Sequence, residues 1–86
     1  MSNNELNIHL YQLLAAWNPM NFDDPTMGDA EVYEMMDAVR HYGEPTEIAE
    51  AFQQIFQFSF EVSLPKDACL QKAREAVQLQ QSCEVI

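Results

Sequence analysis

Between Pro45 and Ser59, the residues Ile48, Ala51, Phe52, Ile55, Phe56 and Ser59 fall on one face when successive positions are turned by about 100°, opposite Glu50, Gln53, Gln54 and Gln57. That spacing commits the segment to a helix, because a strand would alternate with a period of two. Pro45 suits the first turn, where its missing N–H is no loss, and Glu47 beside it complements the positive end of the helix dipole. The following Phe58-Ser59-Phe60-Glu61-Val62 alternates as a strand would, yet no second alternating run exists to pair with it. It reads as a frayed helix end and an apolar loop.

Three further helices follow from the same rule. Leu6, Leu10, Leu13, Leu14 and Trp17 make the stripe of a first helix, whose opposite face carries Ile8, Tyr11 and Ala15. A helix apolar on two sides either sits between other elements or offers its second face to another molecule. A second helix runs from about Ala30 to Tyr42, with Asp29 as the expected N-cap and Glu31 in its first turn. Val32, Met35, Met36, Val39 and Tyr42 face inward, Glu34, Asp37 and His41 face outward, and Gly43 supplies the left-handed stop. Ser63 and Pro65 open a fourth helix with Cys69, Leu70, Ala73, Ala76 and Val77 inward, expected to reach about Gln80 before a loose end at Ser82–Ile86. The expected fold is therefore all-α: one compact domain over residues 1–86 with about four helices, the third supplying the most buried face.

The twelve residues from Trp17 to Gly28 separate the first two helices and hold the only Trp and two of the four prolines. Connections in helical bundles usually run roughly 2 to 8 residues, so a link this long with large apolar side chains should be ordered. Pro19 ends the first helix and keeps Asn18 out of the right-handed α region. The segment is expected to fold back over the helix ends, pinned by Trp17, Met20 and Phe22.

Chemistry is sparse. Asp23 to Glu34 has the length of an EF-hand calcium loop, with Gly28 at the sixth position and Glu34 at the twelfth, but Pro25 and Met27 stand where side-chain oxygens are required. Glu34, Asp37 and His41 share a helical face at metal-ligand spacing, while the third helix offers Glu47 and Glu50 with no His to complete a di-metal set. His9 flanks the first helix, where a partly exposed His needs no role. Cys69 sits on an apolar stripe of an acidic chain, the wrong setting for a reactive thiolate. Two glycines in total leave no phosphate-cradling loop. Cys69 and Cys83 are 14 residues apart on one helix, about 21 Å at 1.5 Å per residue, so free thiols are expected.

Charge limits the partners. Fourteen acidic residues against four basic ones give a formal net charge of −10, and Arg40, Lys66, Lys72 and Arg74 are too few to form a basic patch. This argues against nucleic acid and against an anionic membrane surface. The N-terminus lacks a secretion signal, and no apolar run approaches the roughly 20 residues of a membrane span, so the expected location is cytoplasmic.

The order of features resembles the YugE-like family of small uncharacterised proteins from Bacillus-like bacteria. The likeness rests on a first helix ending in Trp17-Asn18-Pro19, an acidic loop, Tyr33-Glu34 in the second helix, Pro45 to Phe56, and an Ala-rich last helix. The resemblance spans nearly the whole chain, although such proteins commonly carry Asp where this chain has Asn18. It implies a compact all-α domain and no activity. The functional expectation is a non-enzymatic, cofactor-free protein-binding or regulatory module, with Ile8, Tyr11, Met20, Asp23, Asp24 and Met27 as candidate contact residues. Its expected partners are a basic protein recruited by the acidic surface, or a second copy through helix one. The rival class is a metal-dependent or enzymatic protein using the Glu34, Asp37 and His41 face.

Overall fold

The computed structural model describes residues 3–84, and the side chains of all of these except 3, 4, 25, 26 and 82–84. Four α-helices are present, α1 (Asn3–Trp17), α2 (Asp29–Tyr42), α3 (Pro45–Phe60) and α4 (Lys66–Glu84), with a single 3₁₀ turn at Pro25–Gly28. Among the described residues there is no strand, so Phe58 to Val62 is a helix end and linker, as its lack of a pairing partner required.

Each helix packs on its neighbours in sequence, and α1 closes the ring by packing on α4. This leaves α1 and α3 diagonal to each other. The centre is filled by Leu10 and Leu14 of α1, Val32, Met35 and Val39 of α2, Ile48, Phe52 and Phe56 of α3, and Cys69, Ala73 and Ala76 of α4. The alanines let α4 approach closely, and Cys69 is a buried free thiol that desolvation pushes up to about 11. Five buried residues come from α2 and four from α3, so the second helix shares the role expected of the third alone.

Helix ends follow local rules with two exceptions. Gly43 closes α2 at φ 77° and Pro45 opens α3 at its first position. Glu61 takes φ 56° at the end of α3, and its N–H donates to the Gln57 carbonyl at 3.0 Å. The linker onward is fastened by the Gln53 amide, whose Nε2 donates to the Leu64 carbonyl at 3.0 Å. The first exception is Asp29, which is the first residue of α2 and not its cap: the 3₁₀ turn runs straight into the helix, Gly28 takes the cap position, and no side chain caps it. The second is α4, which continues to Glu84, past the expected stop at Gln80 and through the start of the stretch expected to be loose. Residues 85–86 and the Cys83 thiol lie outside the described part.

Two inward assignments also fail. Tyr42 is 46% exposed and Ser59 is exposed. Each occupies one of the last two positions of its helix, and Tyr42 lies along the open groove between α2 and α3 with Ile55 and Phe58. By contrast Ala38 and Ala49, absent from the expected stripes, are buried.

The segment after Trp17 folds back as expected. The Trp17 ring lies 5.9 Å from Phe52 and 6.4 Å from Phe56, bridging the diagonal between α1 and α3. Phe22 meets Phe60 edge to face at 5.5 Å. Between these anchors Asn18 adopts φ 41°, its carbonyl accepts the Asn21 N–H at 2.9 Å, and its side-chain amide bonds the Phe22 backbone in both directions. The enclosed space beneath the segment is about 20 Å³, lined by Leu14, Met20, Phe22, Met35 and Phe56 among others. That is room for about one water molecule, so the loop packs down on the core.

Candidate functional site

The first helix, apolar on two sides, was expected either to sit between other elements or to offer its second face to another molecule; α2 and α4 pack on it, and part of that face stays uncovered. Tyr11 turns toward α2, where its hydroxyl donates to the Asp29 carboxylate at 2.6 Å and its ring lies 5.7 Å from that of Tyr33. Ile8, one turn earlier, has no such cover and is 56% exposed. The two helices leave between them a groove of about 650 Å³ whose walls include Ile8, Tyr11 and Gln12 from α1 and Tyr33, Asp37 and Arg40 from α2. Tyr33 is 57% exposed.

Each wall is a helical stripe. Ile8, Tyr11 and Gln12 are spaced i, i+3 and i+4, and Tyr33, Asp37 and Arg40 are spaced i, i+4 and i+7. Asn7 also lines the groove, and its Oδ1 is a buried acceptor with no donor in reach. A buried acceptor left unmade is a standing energetic cost.

The Tyr11–Asp29 bond holds the Asp29 carboxylate in place at the head of α2. The bond holds the Tyr11 hydroxyl above its ordinary value of 10.0, chiefly because the phenol donates to a carboxylate and also through desolvation and the negative charge nearby. The sign for stability follows. A phenol whose value is raised by folding contributes fully below pH 10, and that contribution is lost as pH rises through the folded value. Cys69, raised from 9.0, acts in the same direction between pH 9 and about 11. Wild-type protein should therefore lose stability above pH 9. In Asp29→Asn the part of the Tyr11 contribution that depends on the carboxylate is lost and its ionisation midpoint falls, which absorbance titration at 295 nm and melts across pH 8 to 11 will record.

Of the six residues singled out from sequence, only Ile8 and Tyr11 are brought together. Met20 is half-buried against the core and is no exposed contact, because the turn at Asn18 points it under the loop. Asp23 and Asp24 are exposed, and Met27 is 63% exposed, but none of them lines the groove. The residues that sequence reasoning missed are Tyr33, Arg40 and Asn7. Tyr33 lies beside Glu34 on what reads as a polar face, and the available signal was its i, i+4, i+7 stripe. Glu34, Asp37 and His41 line a separate groove between α2 and α3, and among the described residues no three His, Cys, Asp or Glu side chains gather closely enough to hold a metal ion.

Comparison with known proteins agrees with the fold and adds no activity. The uncharacterized protein YugE of Bacillus subtilis (strain 168) is 27% identical over 73 residues, covering 85% of this chain and 84% of YugE. The crystal structure of APC36109 from Bacillus stearothermophilus matches with a TM-score of 0.88 at 27% identity, over 94% of this chain and 99% of that one. A family model described as a domain of unknown function, DUF1871, matches residues 9–86. With nearly its whole length inside that match, and with the four-helix ring and the Trp17-Asn18-Pro19 turn in place, the chain belongs to the DUF1871 family.

Proposed function

We propose that this protein is a non-enzymatic protein-binding module and that the groove between α1 and α2 receives a helical segment of its partner. The observation that carries the reading is the pair Ile8 and Tyr33, two large apolar side chains each more than half exposed on facing walls of one groove. Exposed apolar surface collected in a concavity, with a charged pair at the rim, is the usual form of a helix-binding site. Asp37 and Arg40 supply that rim. Binding is favoured over catalysis because the Tyr11 phenol is tied to the Asp29 carboxylate, and away from the groove the buried Cys69 thiol is held protonated at neutral pH. The same reading places the protein in the cytoplasm, where free thiols persist.

The test is site-specific photo-crosslinking. Benzoylphenylalanine replaces Ile8 or Tyr33, with exposed Gln71 on α4 as the control position. A discrete adduct from positions 8 and 33 that is missing from position 71 supports the groove. If the adduct is a second copy of the chain, the helix-one homodimer takes the place of a separate partner. No adduct at either groove position overturns the proposal.

A further inference from the structure

The side chain most at odds with its surroundings is Phe58, which is 90% exposed. It stands on α3 as a ridge between two open grooves, one of about 540 Å³ toward α2 and one of about 450 Å³ toward the α3–α4 linker. Ile55 and the exposed Tyr42 extend the apolar surface on the α2 side. Glu34, Asp37 and Glu50 are the carboxylates lining these grooves, His41 adds an imidazole on the α2 side, and among the described residues neither groove is lined by Lys or Arg. On the linker side the polar groups are already engaged, since Gln53 holds Leu64 and the Ser63 hydroxyl donates to Gln57 at 3.1 Å.

We propose that this Phe58 face is a second binding surface, meeting the α1–α2 groove only at Asp37, and that its occupant is a cationic amphipathic helix. An apolar ridge flanked by three carboxylates, with no Lys or Arg among the described lining residues, matches a segment with an apolar stripe bordered by Lys or Arg. Like charge disfavours a second copy of this chain, because a two-fold contact would set Glu34, Asp37 and Glu50 of one copy against the same residues of the other. Nucleic acid is repelled by the same field. Phe58 is the anchor, an aromatic side chain central to the patch and already free of intramolecular cover.

The probe is an 18-residue peptide of Lys and Leu arranged as an amphipathic helix. It is compared with a scrambled peptide of equal charge and with the same helix carrying Glu for Lys, titrated into labelled protein and followed by amide shifts. The amphipathic cationic peptide should saturate, with shifts centred on Tyr42, Glu50, Ile55 and Phe58. Phe58→Ala and the scrambled sequence should each weaken binding by about tenfold or more, and Glu34→Gln with Glu50→Gln should flatten its salt dependence. Ile8→Glu, in the other groove, should leave it unchanged. Equal binding by Phe58→Ala, by the scrambled peptide or by the Glu-bearing helix overturns the proposal. So does a shift map centred on Ile8 and Tyr33, or Phe58-dependent self-association in sedimentation equilibrium.

Discussion

Phe52→Ala should destabilise the protein by about 4 kcal/mol, the usual range for removing a buried phenyl group being roughly 3 to 5 kcal/mol. Phe52 is fully buried, sits in the helix that packs on both α2 and α4, and carries the Trp17 ring at 5.9 Å. Its loss removes the transfer free energy of the ring and leaves a cavity that the flanking Ile48 and Phe56 cannot fill without moving the α3 backbone. Small domains hold about 0.05 to 0.15 kcal/mol per residue, so such a loss takes a large share of the total. Phe58→Ala is the matched control: the same substitution in the same helix, on a ring 90% exposed, should change stability by no more than about 0.5 kcal/mol. Urea melts followed by helical ellipticity decide it, since Trp17 emission will shift locally once its partner ring is gone. Comparable losses in the two variants would show that the faces of α3 are wrongly assigned.

That comparison also shows where reading the chain as text reaches its limit. Phe52 announces its burial through Ile48, Ile55 and Phe56, a repeating pattern that no single neighbour can counterfeit. Phe58 lies outside that stripe, in a run whose alternation fits a strand or a loop as well as a helix end, and only the tertiary arrangement leaves it uncovered. The same holds for Tyr42, which obeys the period of its helix yet lies along an open groove. Small residues fail in the opposite sense: Ala38 and Ala49 carry too little apolar surface to register, although the close approach of helices puts them inside.

The candidate groove was half legible for a related reason. Ile8 and Tyr11 stood out because a helix apolar on two sides must account for its second face. Tyr33, alone among acids, had no such surplus to reveal it. Asp29 carried a true signal that was assigned to the wrong bond, since an acid at the head of a helix looks the same in sequence whether it caps the backbone or accepts a phenol from another helix. The loop was legible as ordered from Trp17, Met20 and Phe22. The device that orders it was not, because a positive φ at Asn18 and the return of Phe22 to its side chain exist only once the core is formed.

That device makes Asn18 the second position of large effect. Asn18→Ala should cost about 2 to 5 kcal/mol: placing alanine at φ 41° costs roughly 1 to 2 kcal/mol, and each lost hydrogen bond to Phe22 contributes about 0.5 to 1.5 kcal/mol. Two companion variants divide the total. Asn18→Gly accepts the backbone conformation but removes both side-chain bonds, while Asn18→Asp keeps an acceptor for the Phe22 N–H and sets a carboxylate against the Phe22 carbonyl, losing the donor bond at 2.9 Å. Both should lie nearer wild type, Asn18→Gly at about 1 to 3 kcal/mol and Asn18→Asp at about 1 to 2 kcal/mol. Amide exchange locates the effect, since the Asn21 N–H bonds the Asn18 main-chain carbonyl, which any residue supplies, and the Phe22 N–H bonds the side chain. In Asn18→Ala and Asn18→Gly the Phe22 amide should therefore lose protection first, and Asn18→Asp should preserve it. If Asn18→Ala costs no more than Asn18→Gly, the left-handed turn is not what holds the segment. If Phe22 stays protected in both, the Phe22–Phe60 ring contact holds the segment over the core without the clasp.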